Sequence, residues 1–200
     1  MGINSENEFQ SKIMRELIYE HYINSNKKIT WFPKVNYIDK KRTLSELDLI
    51  IVENKNETII GYEFKFLKYK NPSLNYKYIY SGLGQIQLYF WHGVDKGILC
   101  IGISSKVSDD IKRKIQQITA TIHNMCSLSN MYYLGILVYW EEEDKFTPFL
   151  LPQTKYPNDK IPLIKEEREK ILSRNMSWEK KWLKNHGLPN SVQGMLYKEK

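Results

Sequence analysis

The chain has 200 residues, 30 Lys and Arg against 23 Asp and Glu, and 42% hydrophobic residues. That length suits one domain, or one domain with an appendage, and it can bury a core without disulfides or metals as staples. An aromatic content of 13% argues against a disordered chain, and no apolar run reaches the 18 or more residues of a membrane span.

The N-terminus lacks a basic-then-apolar signal peptide. Cys100 and Cys126 have no metal-ligand spacing, so a reduced, intracellular (cytoplasmic) protein is expected. Asn7 to Asn24 reads as a helix, with Phe9, Ile13 and Leu17 on an i, i+4 stripe and Ser5 or Asn7 as its cap. Ile29 to Ile38 is strand-like and is interrupted by Pro33, which suits an edge strand. Leu47 to Glu53 and Glu57 to Phe66 read as two strands joined by a turn around residues 54–56. Asn71 to Asn75 reads as a polar loop and Ser81 to His92 as a helix. Gly97 to Ser104 is a continuous apolar run, the mark of a buried strand. Ser108 caps a helix whose stripe is Ile111, Ile115, Ile118 and Ile122. Met131 to Trp140 is a last core strand. Four prolines between 148 and 162 then mark a linker-like stretch, followed by helices over Leu163 to Ser173 and Ser177 to Asn185.

This order predicts an α/β fold: a central mixed β-sheet flanked by helices. Residues 1–151 are expected to form the α/β domain and 152–200 a basic helical C-terminal extension. The charge is uneven: 19 basic against 17 acidic residues in 1–151, and 11 against 6 in 152–200. A basic appendage on a near-neutral body suits a polyanion partner; the alternative is a merely solvated tail.

The informative segment is Glu46-Leu47-Asp48-Leu49-Ile50-Ile51-Val52, a turn, and Ile60-Gly61-Tyr62-Glu63-Phe64-Lys65-Phe66. Asp48, Glu63 and Lys65 break otherwise apolar strands. Side chains alternate along a strand, so Glu63 and Lys65 point one way and Tyr62, Phe64 and Phe66 the other. With a two- or four-residue loop, opposed residues sum to 111 and Asp48 faces Glu63. An odd loop would shift the register and break the cluster. Carboxylates so close repel unless a cation sits between them. Hard oxygen ligands suit Mg²⁺ or Mn²⁺, and Lys65 could orient a water. The ordinary alternative is that Glu63 and Lys65 lie on a solvated face.

The spacing of Asp48 and Glu63-Phe64-Lys65, on an αβββαβ order, resembles the PD-(D/E)xK nuclease superfamily with its restriction-endonuclease-like core. Gln85-Ile86-Gln87-Leu88-Tyr89 is similar to the Gln-x-x-x-Tyr motif of RecB-like members. The resemblance covers residues 7 to 140. It implies a metal-dependent nuclease, with Asp48, Glu63 and the Phe64 carbonyl holding Mg²⁺ or Mn²⁺ and Lys65 positioning the attacking water. It further implies a carboxylate from the first helix, Glu8 (or Glu16 or Glu20), and a steadying role for Gln85 and Tyr89. Leu47 stands where the family has Pro, leaving Glu46 as a competing ligand.

Lys68, Lys70 and Lys77, interleaved with Tyr69, Tyr76, Tyr78 and Tyr80, suit phosphates and splayed bases. Lys27, Lys28, Lys40, Lys41 and Arg42 form a second basic edge. Glu141-Glu142-Glu143-Asp144 reads as a solvated turn, the four histidines as structural or surface residues, and Trp178 with Trp182 as packing residues. A nuclease acting on DNA is the expectation, without a membrane role. A palindromic or four-way-junction substrate would require a homodimer. The rivals are a catalytically inactive nucleic-acid-binding protein of the same fold, and an unrelated α/β protein in which the three polar residues form a structural ion pair.

Overall fold

The computed structural model describes residues 3–24, 29–35, 47–53, 57–68, 72–157 and 162–173. Four helices and six strands follow as α1 (Glu6–Asn24), β1 (Ile29–Val35), β2 (Leu47–Glu53), β3 (Thr58–Leu67), α2 (Pro72–Trp91), β4 (Lys96–Ile103), α3 (Asp109–Leu128), β5 (Leu134–Trp140), β6 (Lys145–Leu150) and α4 (Pro162–Leu172). The strands form one sheet in the order β1-β2-β3-β4-β5-β6. The first three run antiparallel, β3, β4 and β5 run parallel to one another, and β6 is again antiparallel. The expected mixed sheet with flanking helices is the observed architecture.

Strand alternation sorts the core into two layers. Tyr62, Phe64 and Phe66 join Phe9, Ile13 and Leu17 of α1 on one face. Ile59 and Leu67 join Ile86 and Phe90 of α2 and Ile115 of α3 on the other. All ten residues of β3 are buried, as expected for a central strand covered on both faces.

Three elements differ from the sequence expectation. Helix α2 begins at Pro72, not Ser81. Proline suits a first helical turn because its missing N–H would be unpaired there anyway, so residues 72–80 are helical rather than loop. Residues 145–150, expected as a loop running into the linker-like stretch that starts at Pro148, form edge strand β6, where Pro148 sits opposite Leu137 at a register shift; an edge strand tolerates proline. The acidic turn is the β5–β6 connection. Glu141 within it is half-buried, and it accepts hydrogen bonds from the Ile3 N–H, the Ser104 hydroxyl and the Ser105 N–H. It is therefore a tie for the N-terminal segment rather than merely solvated.

Residues 152–157 and 162–173 stay on the body. The Gln153 N–H donates to the Tyr132 carbonyl at 2.7 Å and the Tyr156 N–H to the Asp95 carbonyl at 2.7 Å. Tyr156 stacks on Phe90 at 4.8 Å. Arg168 of α4 pairs with buried Asp95 at 2.6 Å, and Ile171 is buried in the core. The expected helix over Ser177 to Asn185, with Trp178 and Trp182, lies outside the described residues, as do Lys27, Lys28, Lys40, Lys41 and Arg42.

Candidate active site

Strands β2 and β3 pair with opposed residues summing to 111, from Leu49↔Tyr62 to Glu53↔Thr58. Four residues separate Glu53 from Thr58, the even number this register requires, and the last of them, Glu57, has a φ of 48°. One step beyond Leu49↔Tyr62, where the ladder ends, stands Asp48, close enough to Glu63 to feel its charge. The Phe64 N–H donates to Asp48 Oδ2 at 2.9 Å, and Gln10 Nε2 of α1 to Oδ1 at 3.3 Å.

Glu63 and Lys65 are not on a solvated face. Glu63 is 1% exposed and Lys65 8%. They lie beneath α2, where Lys65 Nζ donates to Glu63 Oε1 at 2.5 Å and the Tyr89 hydroxyl donates to Glu63 Oε2. A buried ion pair seldom adds stability over well-packed apolar residues, because desolvation offsets the attraction.

Glycines let α2 lie this close. A Cβ on Gly82 would stand 2.6 Å from Leu99 Cδ1 and 3.1 Å from Lys65 Cγ, and one on Gly61 would stand 2.9 Å from the Tyr89 ring. Gly82→Val should therefore lift α2 off Lys65 and cost about 1–3 kcal/mol, the usual range for overpacking. A thermal melt checks this; an unchanged midpoint would mean that α2 is not in close contact there.

The electrostatics follow from burial. The Asp48 carboxyl is pushed up to about 7, first by loss of water and then by the charge of Glu63, against the opposing pull of the Phe64 N–H and Lys65. Glu63 is also pushed up by burial, against the pull of Lys65 and Tyr89. The Tyr89 phenol is held well above its ordinary range by burial and by Glu63 and Asp48, so it remains a donor. Two close, desolvated carboxyls raise each other's proton affinity, and a cation between them would relieve that repulsion.

The donor set fits a hard dication. Asp48 and Glu63 offer oxygen ligands, the Phe64 carbonyl is adjacent, and an ionised carboxylate has about four lone-pair sites. Glu63 can thus keep Lys65 and Tyr89 and still coordinate. Among the described residues no group of three or more His, Cys, Asp or Glu is gathered at one point, so any dication here would depend on the two carboxyls, main chain and water.

The first helix contributes differently from expectation. Glu8 is spent on the helix cap: its N–H donates to the Ser5 hydroxyl oxygen at 3.1 Å, and its Oε2 accepts the Asn4 N–H at 2.7 Å. Glu16 and Glu20 are exposed, and Glu16 lies in the fields of Lys12 and Asp144 instead. The helix acid whose charge acts on both Asp48 and Glu63 is Glu6. Glu6 and Gln10 are i, i+4 and share a helix face; that spacing is the signal in the sequence that points to them.

Gln85 and Tyr89 lie on one face of α2, as their spacing requires. Tyr89 reaches Glu63, whereas the Gln85 side-chain oxygen is buried with no hydrogen-bond partner among the described residues. An orphaned buried acceptor one turn from Tyr89 is itself a place for a donor or cation. Lys68 is exposed, with its amine 3.4 Å from the Asn4 carbonyl. Lys77 is exposed on helix α2 rather than in a loop, and Lys70 lies outside the described residues, with Tyr69 and Glu46. His21 bridges Glu53 and the Tyr62 hydroxyl at 3.0 and 2.6 Å, in keeping with a structural role.

Among the described residues no helix is long and apolar enough to cross a membrane. No protein-family model, curated protein or solved structure matches this chain.

Proposed function

We propose that the protein is a metal-dependent nuclease that hydrolyses phosphodiester bonds in DNA. The observation that carries this reading is the burial of Glu63 and Lys65 on the central strand, bonded to each other, with Asp48 of the neighbouring strand held by the Phe64 N–H. The resemblance of these residues to the PD-(D/E)xK pattern supplies the reaction class, and a net charge of +7 suits a polyanionic substrate.

Asp48, Glu63 and the Phe64 carbonyl would hold Mg²⁺ or Mn²⁺, which supplies Lewis acidity toward a phosphoryl oxygen and the attacking water. The chain's own residues do the rest. Lys65 presents an ammonium group where charge develops, and its N–H donors can orient a water. The Tyr89 hydroxyl and the Lys65 amine hold the Glu63 carboxylate from either oxygen. Gln10 and the Phe64 N–H hold Asp48 in the same way. Residues that orient ligands typically matter by about 10–100-fold.

The test is incubation of supercoiled plasmid and of labelled single-stranded DNA with the protein in Mg²⁺, Mn²⁺ or EDTA, beside Glu63→Gln. Cutting that needs metal and is lost in Glu63→Gln supports the reading, and nicking against end-shortening separates endonuclease from exonuclease. A folded protein that binds DNA without cutting it would favour the inactive binder. Neither binding nor cutting would leave the buried pair as a structural feature.

A further inference from the structure

Strands β3 and β4 leave the sheet side by side at their carboxyl ends. Leu67 is paired with Ile103, and the Ser104 N–H donates to the Leu67 carbonyl at 2.9 Å. Lys68 is the next residue on one strand, and Lys106 stands in the turn that follows the other. Both are exposed, and both reach the same residue of the N-terminal segment. Lys68 Nζ lies 3.4 Å from the Asn4 carbonyl oxygen, and Lys106 Nζ lies 3.5 Å from Asn4 Oδ1.

Among the described residues neither amine pairs with a carboxylate. The contrast with the neighbouring cleft, about 660 Å³ and lined by Lys112, Arg113 and Glu142 among others, is informative. There Lys112 is paired with Asp109 and Glu142, and Arg113 with Asp110. Glu141, the acid that ties down the N-terminal segment, is already taken by Ile3, Ser104 and Ser105. Two ammonium groups drawn to one neutral residue repel each other unless an anion joins them.

We propose that Lys68 and Lys106 form a two-point clamp for a backbone phosphate of the nucleic-acid strand. This rests on the nuclease reading above and adds a contact to the substrate backbone away from that site. The clamp sits beyond the carboxyl ends of parallel strands, where open α/β sheets bind ligands. Lys68 follows the last residue of β3 with the parity of Phe64 and Phe66, so it meets the N-terminal segment on the α1 side of the sheet, whereas Lys65 lies under α2. Lys106 is therefore a binding residue contributed by the β4–α3 turn, acting on the substrate away from the cut bond.

The test is fluorescence anisotropy of a labelled single strand of DNA in EDTA, over a range of KCl, with the full chain. Wild type is compared with Lys68→Ala/Lys106→Ala and with the exposed α3 substitution Lys114→Ala. Loss of two phosphate contacts should lower the slope of log affinity against log salt by about 1.4, while Lys114→Ala keeps the wild-type slope. Cutting of short substrates should retain its metal dependence in the double variant. Wild-type binding with an unchanged slope in the double variant overturns the clamp and leaves the nuclease reading standing. Absence of binding and cutting by wild type overturns both. A thermal melt of each variant confirms that the surface changes leave the fold intact.

Discussion

Replacing Asp48 by Asn is expected to abolish metal-dependent cutting while raising thermal stability at pH 8. The two effects have one cause. The Asp48 carboxyl sits at about 7 in the folded protein, against an ordinary 3.8. Between those values the folded chain keeps a proton that the unfolded chain has released. Stability therefore falls as pH rises from about 4 to about 7, and the whole penalty is present above that window. Each tenfold difference in proton affinity between folded and unfolded chain is worth about 1.4 kcal/mol. Asp48 is half-buried and shares its field with Glu63, so a discounted penalty on the order of 2 kcal/mol is expected. Asparagine keeps the shape and the Phe64 N–H partner without the charge. It should raise the midpoint by about 5 °C at pH 8 and leave it close to wild type at pH 4. Mn²⁺ should raise the wild-type midpoint at pH 8 by binding only the folded state, and should have little effect on the variant. A variant that cuts at the wild-type rate, or that matches wild type in stability at both pH values, would remove Asp48 from the site.

Asp95→Ala should be the most destabilising single change outside the apolar core. Asp95 is 3% exposed. Its Oδ2 accepts the Ile59 N–H at 2.7 Å and pairs with Arg168 at 2.6 Å. Arg168 also donates to the Gly93 carbonyl and to the Glu57 carbonyl. One carboxylate thus ties the start of β3, the α2–β4 turn and α4 together. Removing it leaves a guanidinium without its counter-charge and a buried N–H without an acceptor, a loss of about 3–5 kcal/mol. The expected result is a midpoint lowered by roughly 10 °C and a smaller effect from Arg168→Ala, which keeps the Ile59 bond. Equal, small effects from both variants would mean that α4 is not held by this pair.

The parts of the fold legible in the sequence are those with a strict period. The register of β2 on β3 follows once the loop is even and centred on residues 55 and 56, because the side-chain period of a strand is two; Leu49↔Tyr62 and its successors obey it. The α3 stripe is equally plain: Ile111, Ile115 and Ile122 are buried. Proline misleads twice for related reasons. Pro72 starts a helix and Pro148 sits in an edge strand, and both are positions where the missing N–H costs nothing. On the first helix, Glu8 is a natural candidate until the cap is considered. Ser5 followed three residues later by Glu8 is the capping-box spacing, which commits Glu8 to the helix end and leaves Glu6 and Gln10 to face the strands. The tie from Arg168 to Asp95 spans 73 positions, and no local pattern announces a contact of that kind.

Strand order in the sheet is chain order, β1 through β6. Every strand finds its neighbour in the strand made just before it, so the sheet can be laid down in the direction of synthesis, with no gap held open for a late arrival. Pairings of short sequence separation are the ones a chain closes quickly. The two carboxylates of the proposed site belong to the second and third strands and can meet before the second half exists. Of the donors that hold Glu63 in place, Lys65 comes with β3 itself and Tyr89 only with α2. The clasp of Arg168 on Asp95 comes near the end of the described chain. A nascent domain of this design brings its acidic pair together with Gln10, the Phe64 N–H and Lys65 already made, and only the Tyr89 brace on Glu63 waits for α2.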